Sequence, residues 1–117
     1  MTGLFSQINV LGNALSGSQQ NHSVLSQNIA NVNTPGYKTQ QMDFKELINQ
    51  LESRAAQQGR VDEVSVQEVE GLAERVDGNN VDLEREVSQL KKNALAAQAY
   101  SHLMASRLET MRRAISG

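Results

Sequence analysis

The sequence predicts an all-α fold in which two long helices, one N-terminal and one C-terminal, pair as a coiled coil, with a short helix and a poorly structured insert between them. Apolar residues repeat with heptad spacing at both ends of the chain, whereas from Arg60 to Asn80 the periodicity is poor. Heptad spacing is typical of helices that bury one face against another helix. We divide the 117 residues into an N-terminal axial helix (1–33), a turn (34–41), a short helix plus flexible insert (42–80) and a C-terminal axial helix (81–117), forming one domain overall.

The N-terminal helix is predicted from an apolar stripe, which we call the helix seam. Its positions follow 4,3 spacing: Leu4, Ile8, Leu11, Leu15, Ser18, His22, Leu25, Ile29 and Val32. The opposite face carries Gln and Asn, and no Asp, Glu, Lys or Arg occurs before Lys38. Burying an ion costs several kcal/mol, a penalty that an uncharged polar face avoids. We therefore expect both faces of this helix to contact protein in the working state.

The end of this helix is marked by a predicted turn. Asn31 and Asn33 tolerate the left-handed conformation found at helix ends. In the tetrapeptide 34–37, Pro35 and Gly36 occupy the second and third positions, which is typical of a type II turn. Two interpretations of Tyr37 stay open: it packs on the helix pair beneath the turn, or the turn presents Tyr37 and Lys38 to another subunit.

The second helix has local start and stop signals. Asp43 and Glu46 match a capping box, and Met42 and Leu47 are spaced as a hydrophobic staple around it. Gly59 is a natural stop. The segment that follows fits either a short strand or a frayed helix.

The third helix begins after a turn signal at 77–80, with Asp82 as its expected N-cap. Its helix seam positions are Leu83, Val87, Leu90, Ala94, Ala97, Ser101, Met104, Leu108, Met111 and Ile115. Acidic residues at its start and arginines at its end complement the helix dipole. The two long helices could pair in parallel or antiparallel fashion.

No residue pattern points to catalysis, and we predict that the protein is not an enzyme and uses no cofactor or metal. His22 is expected to pack in the helix seam, and His102 has no acid three or four residues away. The acids of the insert lack the ligand pattern of a calcium loop, and no Gly-rich phosphate loop occurs. A net charge of −2 provides no basic field for nucleic acid, and no small-molecule substrate is expected. The N-terminus lacks the basic and continuous apolar regions of a cleaved signal peptide, so any export is expected to use another route.

Two stretches resemble a known family. "LSQNIANVNTPGYK" at 25–38 is similar to the N-terminal signature of the bacterial flagellar rod and hook axial proteins. The segment 77–115 resembles the corresponding region of the short proximal rod subunits of that family. The resemblance implies that the signature residues are interface and turn residues: Asn28, Ile29, Ala30, Asn31, Thr34, Pro35, Gly36 and Tyr37.

The resemblance also implies a function. The chain is expected to be a structural subunit of the basal-body rod, the tubular shaft that crosses the periplasm and transmits motor torque, exported by the flagellar type III apparatus without a cleaved signal peptide. Its expected partners are other rod subunits, further copies of itself, and proteins at the junction of the rod with the membrane ring and export gate. The alternatives are another axial rod subunit, or a soluble coiled-coil adaptor of the export apparatus. A rod subunit should enter large polymers, whereas an adaptor should stop at a small complex.

Overall fold

The computed structural model describes residues 2–53 and 63–117. In this part of the chain the elements are α1 (Thr2–Ala30), β1 (Gln40–Met42), α2 (Phe44–Glu52), β2 (Val66–Glu68) and α3 (Leu83–Ser116). The predicted all-α fold is confirmed, with two long helices that pack together and a short helix between them. The described part of the insert contains one short strand, β2. The predicted helix stop at Gly59 lies outside the described residues.

The two short strands add a feature that the fold class did not include. They pair antiparallel, with Gln40 opposite Glu68 and Met42 opposite Val66. Of the two alternatives left open for the insert, a short strand is therefore correct at 66–68. The pairing places the insert beside α1, where the Gln20 side chain bonds both the N–H (3.1 Å) and the carbonyl (2.5 Å) of Val64.

Helices α1 and α3 are antiparallel. Asn28, near the end of α1, contacts Glu86 near the start of α3. Gly12, in the first half of α1, faces Met104 in the second half of α3. The pair makes the molecule elongated, with extents of 65 × 24 × 17 Å and a radius of gyration of 17.5 Å. A compact chain of this length would have a radius of gyration of about 13 Å. Much of the surface of both helices therefore faces away from the chain's own core.

The helix caps form where the sequence predicts them. The Asp43 carboxylate accepts a hydrogen bond from the Glu46 N–H (3.1 Å), and Asp82 accepts one from the Arg85 N–H (3.3 Å). The second half of the capping box differs from expectation. The Glu46 carboxylate accepts bonds from Ser65 instead of the Asp43 N–H, which donates to the Ser65 carbonyl (2.9 Å). The strand pairing satisfies the N-cap amide, which frees Glu46 to hold the insert.

The apolar core is small. Val24, Met42 and Val64 form a buried cluster against which Leu47 of α2 packs. Leu47 can approach closely because α1 has Gly17 at the contact: a Cβ there would lie 3.1 Å from a Leu47 methyl group. Six apolar and six polar or charged side chains are buried in the described part of the chain. The interior is therefore held by hydrogen bonds as much as by apolar packing.

The helix seam of α3 does not all face α1. Half of its positions are partly buried: Val87, Leu90, Ala97, Met104 and Met111. The other half are exposed: Leu83, Ala94, Ser101, Leu108 and Ile115. The physical reason is that polar residues share the interface. Asn93 donates to the Ser18 carbonyl (2.7 Å) and accepts from Asn21 (3.0 Å), so α3 is turned to bring these amides toward α1.

Candidate functional site

The centre of the candidate site is the Asn28 side chain, which is 0% exposed. Its Nδ2 donates to the Gln40 carbonyl (2.8 Å) and to Glu86 Oε2 (3.0 Å). Its Oδ1 accepts from the Tyr37 hydroxyl (2.9 Å) and from the Gln40 N–H (3.0 Å). Both donors and both acceptor positions of the amide are thus used. One residue ties α1 to the turn, to β1 and to α3.

Glu86 is the charged member of this group and is also 0% exposed. Its Oε2 accepts the bond from Asn28, and its Oε1 pairs with the Arg85 guanidinium at 2.7 Å. A carboxylate buried without such partners would cost several kcal/mol, so the two bonds are needed for it to stay here. The negative charge also acts on Tyr37: burial, with a further contribution from Glu86, raises the pKa of the phenol.

The turn at 34–37 has the predicted geometry. The Tyr37 N–H donates to the Thr34 carbonyl (3.2 Å), and Gly36 has φ of +75°. A positive φ is easy for glycine and strained for residues with a Cβ. Asn31 and Asn33 do not adopt the left-handed conformation that asparagine tolerates. In the described ranges only glycines have positive φ values. Instead the helix end tightens, and the Asn31 N–H lies within hydrogen-bonding distance of the Gln27 (3.1 Å) and Asn28 (3.2 Å) carbonyls.

A second loop, at 77–80, interlocks with this turn. The Gly36 N–H donates to the Asp77 carbonyl (2.9 Å), and a Cβ on Gly78 would lie 3.4 Å from the Gly36 Cα. The Asn79 amide is fully buried and donates to the carbonyls of Asn31 and Thr34, both at 2.8 Å. These carbonyls close the helix end and the turn, so Asn79 holds both in place.

The next residue, Asn80, holds the strand side of the turn. Its Oδ1 accepts from the Thr39 N–H (2.7 Å) and hydroxyl (2.9 Å), and its N–H donates to the Tyr37 carbonyl (3.3 Å). Thr39 is fully buried by this contact. The paired asparagines therefore bind successive parts of one loop.

Two cations complete the connection between the turn and the insert. Lys38 pairs with Glu74 (2.7 Å) and donates to the Gly78 carbonyl. Arg75 donates to the carbonyls of Val81 (3.1 Å) and Val32. Of the two interpretations of the turn, these bonds favour packing within the chain for both Tyr37 and Lys38.

The signature residues fall into two groups. Asn28 is buried, and Ile29, Asn31 and Tyr37 are half-buried, whereas the remaining signature residues are exposed: Ala30, Thr34, Pro35 and Gly36. Of six helix seam residues expected to form the contact, Leu25 is buried and Leu108 is 48% exposed. The other four are partly buried: Leu11, Leu15, Leu90 and Met104. His22, expected to pack in the seam, is exposed at the edge of the helix pair.

Sequence reasoning missed four members of the site: Glu86, Asn79, Asn80 and Thr39. Glu86 resembles an ordinary acid near a helix N-terminus, and nothing local distinguishes it. The adjacent asparagines at 79–80 are typical turn formers, so the sequence alone suggests only a turn there. A signal existed, since Asn28, Asn31, Asn79 and Asn80 all flank the ends of predicted helices.

The contacts described at the site are hydrogen bonds and ion pairs within the chain. In the ranges 2–53 and 63–117, no three acidic or histidine side chains gather as a metal site would require. No helix in those ranges is long and apolar enough to cross a membrane. The amides and carboxylate of the site hold backbone in place, which fixes the shape of the α1–β1 connection.

Comparison with known proteins identifies the family of the chain. The family model described as "Flagella basal body rod protein" matches residues 8–38, which include the signature. The chain is 31% identical to the flagellar basal body rod protein FlgB of Aquifex aeolicus over 97% of this chain and 96% of that one. It is 30% identical to FlgB of Bacillus subtilis, with 92% and 91% covered, and 29% identical to FlgB of Salmonella typhimurium, with 89% and 88% covered. The chain belongs to the FlgB family of flagellar basal body rod proteins.

Proposed function

We propose that this chain assembles through α1 and α3 into the tubular rod that crosses the periplasm and transmits motor torque. The observation that carries the proposal is the balance of apolar surface. Ten large apolar side chains are exposed in the described part of the chain, whereas six apolar side chains are buried. Scattered exposed apolar residues are normal, but five of these ten lie on one helix, α3, and a sixth, Phe5, lies near the start of α1. The five on α3 are Leu83, Leu95, Leu103, Leu108 and Ile115. A subunit with neighbours on several sides would bury them.

The polar surface of α1 supports the same proposal. Gln7, Gln19 and Gln27 are exposed, and α1 carries no charged side chain. A neighbouring subunit can cover these amides and satisfy them by hydrogen bonds without desolvating an ion. The surface thus suits burial in an assembly better than permanent exposure to water.

The hydrogen-bonded cluster around Asn28 suits a torque-bearing role. It joins both long helices to the turn through bonds of 2.8–3.0 Å that use the whole amide. A connection with all its polar groups satisfied resists changes in the angle between its elements. The exposed signature residues Ala30, Thr34 and Pro35 would then be presented in a fixed shape to a neighbouring subunit.

The proposed route and partners follow from family membership. The chain would be exported by the flagellar type III apparatus without a cleaved signal peptide. It would contact further copies of itself, other rod subunits, and the proteins at the junction of the rod with the membrane ring and export gate.

Replacement of Leu25 by Asp tests the proposal in cells that lack the native gene. Leu25 is 6% exposed, so Leu25→Asp places a carboxylate in the helix contact. We expect Leu25→Asp to abolish swimming and to remove the chain from isolated basal bodies, whereas Leu25→Met should swim. Normal swimming and normal incorporation of Leu25→Asp would contradict the proposed assembly through this helix pair.

A further inference from the structure

The side of the α1–α3 pair that carries α2 has two sections. In the first, α2 is seated, with Leu47 against Gly17 and Phe44 bordering the same cavity as Ala96 and Tyr100. In the second, toward the start of α1 and the end of α3, an open groove of about 340 Å³ remains. It is lined by Ser6, Gln7, Val10, Leu11, Leu103 and Arg107. The helix pair thus accepts a helix in one section and leaves the next one empty.

The open groove has an apolar wall and a cation, Arg107, at its edge. Leu103 is 46% exposed, and Arg107 lies one turn further along the same face of α3. The Arg107 Nε is buried without a hydrogen-bond partner, and no ion pair of Arg107 occurs in the described part of the chain. The Arg107 side chain is partly buried, so its guanidinium can still pair with a carboxylate that enters the groove. A carboxylate is the partner that best fits a guanidinium.

The outer face of α2 offers the matching chemistry. Ile48 is 54% exposed, and Glu52 is exposed one turn after it. Residues four apart lie on one face of a helix, about 6 Å apart along its axis. Leu103 and Arg107 have the same separation, so Ile48 and Glu52 of another α2 could meet them together. Glu52 has no ion pair within the described ranges.

We propose that the open groove binds the Ile48–Glu52 face of α2 from a second copy of this chain, with Glu52 of that copy paired to Arg107. The chain's own α2 cannot supply the contact, because Leu47 fixes it on Gly17. The second copy is favoured because this chain carries the complementary apolar and acidic face itself. The inference rests on the proposed assembly and assigns one contact within it.

Charge reversal with mixing tests the pairing. The measurement is sedimentation velocity of the full-length chain over a wide concentration range. Arg107→Glu alone sets two carboxylates against each other, and Glu52→Arg alone sets two guanidinium groups against each other, so each should weaken self-association about tenfold. A 1:1 mixture of the two variants should regain wild-type association, because every contact between unlike copies again joins opposite charges. Lys91→Glu, a reversal on an exposed part of α3 outside the groove, is the control and should have no effect.

Rescue in the mixture cannot come from repaired folding, because each chain keeps its own substitution. Circular dichroism of each variant should show unchanged helicity. The proposal is overturned if the wild type stays monomeric at all concentrations, if the single reversals have no effect, or if mixing fails to restore association. A wild-type monomer combined with loss of rod incorporation by Arg107→Glu would instead identify another rod protein as the occupant. Incorporation of all variants into basal bodies would leave the proposed rod function intact while refuting this contact.

Discussion

Replacement of Asn28 by Asp should destabilise the fold more than any amide-to-acid change on the surface. The aspartate loses both donated hydrogen bonds, to the Gln40 carbonyl and to Glu86 Oε2, and places a second carboxylate at the 3.0 Å contact with Glu86. Both groups lie at a position that is 0% exposed, so water cannot screen the repulsion. A buried group left without its hydrogen-bond partner costs about 1–3 kcal/mol, and more when the group is charged, so the loss should reach about 3 kcal/mol. Small domains have total stabilities of about 5–15 kcal/mol, so the loss is a large fraction of the total.

The assay is urea unfolding of the full-length chain, followed by the helical circular dichroism signal, at pH 7 and at pH 5. Gln19→Glu is the matched control, since Gln19 is exposed on the same helix, and should change the free energy of unfolding by less than about 0.5 kcal/mol. The cost of Asn28→Asp should shrink as the pH falls. The acid introduced at position 28 faces a carboxylate in a buried site, which favours protonation of that acid in the folded variant relative to the unfolded chain. The folded variant then binds more protons than the unfolded chain, so its stability relative to wild type increases toward pH 5.

A second substitution isolates the contact. Glu86→Gln in the Asn28→Asp background lets the glutamine amide donate to the aspartate, and this double variant should recover part of the lost stability at pH 7. A cost of Asn28→Asp below about 1 kcal/mol at pH 7, or one independent of pH, would refute the argument that Asn28 and Glu86 form a buried, mutually dependent pair.

The remaining predictions concern the turn. Gly36→Val forces a β-branched residue to φ of +75° and should lower the free energy of unfolding by at least about 1 kcal/mol. The control Gly3→Ala, in an open part of α1, should be neutral or stabilising. Equal effects of the two substitutions would be inconsistent with the turn geometry. Tyr37→Phe should cost about 1 kcal/mol at neutral pH through loss of the bond to Asn28. It should also flatten the alkaline stability profile: because the folded chain raises the pKa of Tyr37, the wild type keeps the full stabilisation below about pH 10 and loses it as the pH rises further. If the free energy of unfolding, measured with urea, depended equally on pH above about pH 10 in both proteins, the raised pKa of Tyr37 would be contradicted.

Local features of the fold could be predicted from the sequence because their causes are local. The caps at Asp43 and Asp82 depend on bonds to an N–H three residues away. The turn at 34–37 depends on the positions of one proline and one glycine. Long-range features were less accessible: the Asn79 bonds to Asn31 and Thr34 span 48 and 45 residues, and no local pattern shows which carbonyls an asparagine will reach.

The orientation of α3 illustrates a different difficulty. A heptad pattern predicts that the apolar stripe faces the partner helix, but in this chain amides and a carboxylate share the interface. Asn93 and Glu86 lie beside the stripe and bond to α1, whereas Leu108 and Ile115 of the stripe are exposed. A stripe in a subunit also has to satisfy contacts between chains, so its centre need not face the partner within one chain. The heptad pattern therefore predicted the two long helices correctly, but not which residues of the stripe face the partner helix within the chain.

The central claim is that the exposed apolar positions of the helix pair become covered when the chain enters the rod. The native sequence contains no cysteine, so Leu108→Cys gives a single thiol at a position that is 48% exposed in the free chain. The measurement compares the rate of maleimide labelling of that thiol in the purified chain and in isolated basal bodies, with denatured basal bodies as the control for full access. The account predicts rapid labelling of the free chain and strong protection in basal bodies, reversed by denaturation. Equal labelling rates in the free chain and in intact basal bodies would contradict it.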